Sequence, residues 1–226
     1  MSLPELDNPF WSSLRTRHRA IALGGEDVVR YPADFAPFLG IADADAPLDA
    51  ALDALVATGE SVYLLGVAPR QVPQGWRLEF LGDLAQMVRT EPLDVPDGPA
   101  AVALDASHRA DVLALTALVY PHYFRARTME MGRYFGIYED GRLAAMIGER
   151  LGTGACTEMS AICTHPDFSG RGFARRLTAL LGNDTLARGR TPFLHVSPAN
   201  TRAKALYERI GYRLRRDIPF WSLQRA

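Results

Sequence analysis

The stretch Thr157–Leu181, TEMSAICTHPDFSGRGFARRLTALL, decides how this chain is read. A strand-like run from Thr157 to Thr164 meets His165-Pro166, turns through Ser169-Gly170-Arg171-Gly172 and enters an amphipathic helix at about Phe173. A chain that turns sharply from strand to helix leaves several backbone N–H groups unpaired and aimed one way, with the positive end of the helix dipole behind them. That arrangement binds phosphate. Gly170 and Gly172 let the backbone come close to a ligand, and Arg171, Arg175 and Arg176 add positive charge. A phosphorylated cofactor is expected. Two better-known phosphate loops do not fit. A P-loop needs Lys-Ser/Thr after its last glycine, where Phe173-Ala174 stands here, and the G-x-G-x-x-G dinucleotide fingerprint with its later acid is not matched either.

A second motif follows: Asn200-Thr-Arg-Ala203-Lys-Ala-Leu206-Tyr207-Glu-Arg-Ile210-Gly211-Tyr212. Together the two resemble the GNAT N-acetyltransferase superfamily. Ser169–Ala174 is similar to its Q/R-x-x-G-x-G/A loop, and Asn200–Tyr212 to N-x-x-A-x-x-L-Y-x-x-x-G-F. The matched residues cover roughly 100–223. Ser169 stands where the family usually has Gln or Arg. Backbone amides do most of the phosphate work, so this departure is expected to weaken cofactor affinity at most. The resemblance implies acetyl-CoA (coenzyme A) as co-substrate and acetyl transfer to a primary amine of a small molecule, amino acid or peptide. It also implies an α/β (α+β mixed sheet) acyltransferase fold in which strand 157–164 splays from strand 193–196 to admit the pantetheine arm.

Carried over residue by residue, the implied cofactor contacts are Ile162, Cys163 and Thr164 on the strand. Ser169, Gly170, Arg171, Gly172, Phe173, Ala174 and Arg175 follow in the loop and helix start, and Asn200 adds a contact from the second motif. Tyr207 is the implied general acid, since a phenol with a pKa of about 10 stays protonated at neutral pH and can donate to a thiolate. Glu158 falls where some members place a glutamate that deprotonates the amine, often through water. Glu149 and His195 are further base candidates, and Tyr120, Tyr123, Phe124 and Arg125 the expected acceptor wall. Each residue also has a plainer role. Tyr207 shares a helical face with Ala203, Leu206 and Ile210 and fits a core position; Asn200 fits an N-cap; Glu158 fits a solvent-facing strand residue. A non-catalytic acyl-CoA sensor or interaction module is the alternative reading of the whole.

Composition sets bounds. Apolar residues make up 48% and charged residues 23%, as in an ordinary globular protein. The formal net charge of −1 provides no field toward nucleic acid or a membrane surface. No apolar run approaches the ~20 residues that span a bilayer, and the first residues lack the order of a secretory signal. Cys156 and Cys163 match no zinc or redox spacing. A cytoplasmic protein, monomer or homodimer, with no bound metal is expected.

Glu91–Pro99, EPLDVPDGP, reads as a linker between an N-terminal α/β domain at 1–90 and the acetyltransferase domain at 100–226. The first domain is expected to be smaller, and some relatives carry a degenerate copy of the fold in that place. Helices are expected over 9–23 and 48–57, with strands at 28–31, 61–67, 76–80 and 85–88. Beyond the linker come a strand at 100–104 and a helix capped by Ser107 and ending near 119. A hairpin at 134–139 and 143–151 turns through Asp140-Gly141. The strand–loop–helix above then runs to about 188, followed by strand 193–196, a helix capped by Asn200 and two terminal strands split near Asp217.

Overall fold

Asp140 and Gly141 sit at φ 51° and 71°, the left-handed pair that a two-residue hairpin turn demands. In this computed structural model, which describes residues 3–225, the chain preceding that turn forms nine regular elements. Besides the hairpin strand that leads into the turn, they are α1 (Pro9–Arg15), β1 (Leu23–Gly24), β2 (Val28–Arg30), β3 (Leu39–Ile41), α2 (Asp49–Leu55), β4 (Ser61–Leu65), β5 (Trp76–Val88), β6 (Val102–Leu104) and α3 (Arg109–Val119). The hairpin strands are β7 (Tyr134–Glu139) and β8 (Arg142–Gly152). After them come β9 (Cys156–Thr164), α4 (Phe173–Ala187), β10 (Thr191–Val196), α5 (Thr201–Arg209) and β11 (Arg213–Arg225). The large mixed sheet has the order β4-β11-β5-β10-β9-β8-β7-β6, and β1-β2-β3 form a small second sheet. Within the large sheet β9 and β10 run parallel, joined by the crossover helix α4. Among the described residues no helix is long and apolar enough to cross a membrane.

The sheet runs across the boundary expected at 91–99, because β5 lies between β10 and β11 and β4 lies on the outer edge of β11. The 91–99 segment carries the chain from β5 to β6 and is strapped to α4. Asn183 donates to the Leu93 carbonyl at 2.7 Å and accepts the Leu93 N–H at 2.9 Å. Arg176 donates to the carbonyls of Pro96 and Pro99. Its charge therefore serves the strap and not the glycine loop, contrary to the sequence expectation.

β5 and β11 are each one unbroken strand of 13 residues where two short strands were expected. They pair with each other along their length, and register shifts near Leu214–Arg216 and Phe220–Trp221 absorb the irregularities that looked like breaks. α1 ends eight residues early, at Arg15, where the Thr16 hydroxyl turns back onto the Ser12 carbonyl at 2.5 Å. The cap before α3 is Asp105, accepting from the Ser107 N–H at 2.9 Å, and not Ser107.

Buried His18 ties the N-terminal segment to the later sheet. One ring nitrogen bonds the Met131 carbonyl at 2.8 Å and the other the Tyr31 hydroxyl at 2.8 Å, while Ser13 accepts the Gly152 N–H at 3.0 Å. Burial lowers the His18 pKa, and the Met131 carbonyl only partly opposes this. The unfolded chain therefore binds a proton more readily, starting near the ordinary value of 6.5. Stability is fully present above that pH and is lost as pH falls below it. Urea unfolding of the wild type should show this decline starting near pH 6.5, and His18→Gln should flatten it.

Candidate active site

The ladder between β9 and β10 holds for three pairs, Thr191↔Cys156, Pro192↔Thr157 and Phe193↔Glu158, and then stops. Beyond that point β10 stays paired with β5 through Val196, and β9 stays paired with β8 through Thr164. The two strands part. A bulge in β9 accompanies the parting: Ala161 sits at φ 48°, and Ala161 and Ile162 fall between the pairs Gly148↔Ser160 and Met146↔Cys163, opposite Ile147 alone. A left-handed residue with a Cβ costs about 1–2 kcal/mol, which the surrounding structure must sustain. Two cavities of about 340 and 420 Å³ meet at the gap, sharing Ile162, Asn200, Ala203 and Tyr207 as lining.

The larger cavity lies over the glycine loop. Gly170 and Gly172 adopt φ 81° and 79°, and a Cβ on either would meet nothing within 4 Å. Glycine is required there by backbone angle, and the space in front of it is open. Gly172 is the N-cap of α4 and supplies no side-chain acceptor, so the first helical N–H groups face the cleft uncapped. The whole loop from Ser169 to Arg175, Phe173 and Ala174 included, lines this cleft together with Arg202 and Arg209 of α5, and among the described residues no carboxylate does. Such a site suits a polyanion. Ile162 and Thr164 also line it. The Cys163 thiol instead lies in the cluster packed against α3, where burial pushes its pKa to about 12, leaving only its backbone to a cofactor. Asn200 caps α5, its side chain accepting the Ala203 N–H at 3.1 Å.

Tyr207 is 7% exposed and packs edge-to-face on Tyr212 at 6.1 Å. It faces both cavities, and no hydrogen bond engages its hydroxyl among the described residues. Burial holds its pKa well above the ordinary phenol value, so the proton stays on the oxygen.

Glu158 is 1% exposed, and both of its oxygens are in use. Oε1 accepts from Arg150 at 2.8 Å and from His195 Nδ1 at 2.8 Å; Oε2 accepts from Arg150 Nε at 2.9 Å and the Leu151 N–H at 3.3 Å. Burial alone would raise its pKa, but Arg150 and then His195 bring it down to about 2. A carboxylate with its lone pairs spent and a pKa that low is a poor acceptor for an ammonium proton. In this geometry the carboxylate holds the Arg150 guanidinium and the His195 ring in place. His195 Nε2 in turn faces the Gln86 amide at 3.0 Å, and the Gln86 oxygen accepts from Arg215 at 2.8 Å. Arg150, Glu158, His195, Gln86 and Arg215 thus form a polar row across β8, β9, β10, β5 and β11. The network assigns the ring proton to Nδ1, since a proton on Nε2 would oppose the amide donor.

Glu149 lies away from these two cavities. It is held by Arg17 at 3.1 Å and Arg133 at 2.5 Å in a separate cleft with Thr157 and Arg188. Tyr120 and Tyr123 line the cavity of about 340 Å³, but Phe124 packs edge-on against Tyr134 at 6.0 Å and Arg125 turns to the carbonyls of His122 and Phe124. Sequence reasoning missed Arg150, Gln86, the bulge at Ala161, and the aromatic residues Phe10, Phe38 and Phe220. Only Arg150 left a signal, as a charge between Glu149 and Leu151 on a strand of mostly apolar residues, where burial demands a partner.

The FR47-like protein family matches residues 134–221. No curated protein matches the chain significantly. Among solved structures, one assigned as an acetyltransferase of the GNAT family, from Novosphingobium aromaticivorans, is 32% identical over 98% of both chains with a TM-score of 0.87. A GCN5-related N-acetyltransferase from Kribbella flavida has a TM-score of 0.60 at 17% identity, over 93% of this chain and 92% of that one, and supports the fold alone. The fold is the one found in these acetyltransferase structures. The chain belongs to the GNAT family of acetyltransferases.

Breaking the buried Arg150–Glu158 pair from one side should strand a charge. Glu158→Ala is expected to lose about 3 kcal/mol of unfolding free energy, and the double substitution Arg150→Met with Glu158→Leu to recover most of it. Chemical denaturation at pH 7 checks both.

Proposed function

We propose that this protein is an acetyl-CoA-dependent N-acetyltransferase acting on a primary amine, with Tyr207 as general acid. One observation carries the reading: Tyr207, protonated and with no hydrogen bond on its hydroxyl among the described residues, lines both the basic cleft and the aromatic-walled cavity, beside the parted strands β9 and β10.

Acetyl-CoA, as co-substrate, supplies the activated acetyl group. The loop amides from Gly170 to Ala174 and the arginines 171, 175, 202 and 209 suit its phosphates, and the open edge of β9 at Ile162 and Thr164 suits the amides of its pantetheine arm. Asn200 fixes the start of α5 and so the height of Tyr207 in the gap. Tyr207 then donates its proton to the departing sulfur. Holding amine and thioester side by side supplies a large share of the rate. The buried, unbridged Cys156 and Cys163 fit a reducing cytoplasm.

The spent carboxylate of Glu158 favours one rival, a module that binds acyl-CoA without turnover. Calorimetry with CoA and CoA release from acetyl-CoA across an amine panel separate the two. The enzyme is expected to release CoA with at least one amine, whereas the binder shows affinity and no release. Tyr207→Phe should lower kcat by about 100-fold or more while CoA affinity stays within about twofold. Unchanged turnover in that variant would remove the acid role.

A further inference from the structure

Resting on the N-acetyltransferase reading, the acceptor cavity carries a statement about its substrate. We infer that the acceptor is an apolar amine with an aromatic body, taken up as the free base.

The cavity of about 340 Å³ is walled by rings from separate parts of the chain: Phe10 of α1, Phe38 before β3, Tyr120 and Tyr123 after α3, and Phe220 of β11. These rings brace one another. Phe10 stacks on Phe38 at 4.2 Å, and Tyr123 lies 6.3 Å from Phe38, 6.0 Å from Tyr120 and 5.9 Å from Phe220. A wall of mutually packed rings presents flat apolar faces of fixed spacing, which suit another ring.

The charges point the same way. Arg150 and Glu158 are the charged residues lining the cavity, and they neutralise each other through two hydrogen bonds. The other titratable groups facing it are His195, with both ring nitrogens engaged, and the phenols of Tyr120, Tyr123 and Tyr207. Among the described residues no unpaired carboxylate lines it to meet a second ammonium. No free guanidinium waits for a carboxylate. The Phe38 face, which could draw a cation, already carries the Arg150 guanidinium at 4.9 Å. A polyamine or an amino acid would bring in a charge without a counter-ion, and that is costly in such surroundings. The cofactor cleft next door, with four arginines and no acid, is built for the opposite kind of ligand.

The same surroundings disfavour an ammonium and shift the bound amine toward its neutral form. This accounts for a site without an open base. The neutral nitrogen's lone pair forms the C–N bond, the C–S bond breaks, and sulfur takes the Tyr207 proton. The proton that the nitrogen sheds restores Tyr207, so protons balance.

The test is kcat/KM at saturating acetyl-CoA for phenethylamine, spermidine and lysine, followed across pH. Phenethylamine is expected to exceed both charged amines by about 100-fold or more. Its kcat/KM should rise about tenfold per pH unit up to the amine's own pKa, and the less basic benzylamine should bring that limb down. Tyr123→Ala should raise KM for phenethylamine by about tenfold and leave KM for ethylamine within about twofold. Preference for spermidine or lysine would overturn the inference while CoA release upholds the enzyme. A limb fixed at one pH for every amine would indicate a protein base and overturn free-base uptake. Absence of CoA release with any amine would bring down both this inference and the reading beneath it.

Discussion

A strand paired on one side only leaves a row of backbone donors and acceptors along its other edge, and these must meet water or a ligand. From Met159 to Thr164, β9 is such a strand, although it lies in the middle of an eight-stranded sheet. The sheet stays continuous because three pairs at the base of the gap hold β9 to β10 and because β5 supports β10 from behind. What opens between the strands is a slot with hydrogen-bonding capacity on one wall, which in the proposed reading takes an amide-bearing arm as a surrogate strand. The bulge at Ala161 stores conformational cost at that opening, where a functional site rather than stability repays it.

The slot joins two unlike environments. On one side are helical N–H groups and four arginines; on the other, aromatic faces over a neutralised floor. The polar row from Arg150 to Arg215 makes that floor possible. Buried charges survive there because each is paired or hydrogen-bonded, and the row crosses five strands so that each group finds its partner on a neighbour. The first ninety residues are part of the same construction. Leu6 accepts from Gln86 at 2.9 Å, Asp7 pairs with Arg215 at 2.7 Å, and Phe10 and Phe38 complete the cavity wall. The solved GNAT-family relative at 32% identity extends over this region as well.

Features made of local backbone were legible in the sequence. The glycine loop, the Asp140-Gly141 turn, the Asn200 cap and the helix that presents Tyr207 each need only a few consecutive residues, and they stand where the letters put them. Features made of long-range pairing were not. Glu158 was read from its distance to the loop, but its chemistry is set by Arg150 and His195 on two other strands. Arg176 looked like part of the phosphate cluster until the strap from Pro96 to Pro99 claimed it. Ala161 gave no warning, since an alanine at positive φ leaves no trace in composition or period. The 91–99 segment is irregular backbone, but its letters could not reveal that β5, ahead of it, pairs with β10 and β11, which follow it.

Amide hydrogen exchange with and without coenzyme A addresses the parted strands most directly. Slowed exchange at residues 159–164 and 169–175, with β4 and β6 at the sheet edges unchanged, is the expected result. Unchanged exchange in both segments at saturating coenzyme A, or protection confined to other strands, would contradict the slot as the cofactor's seat.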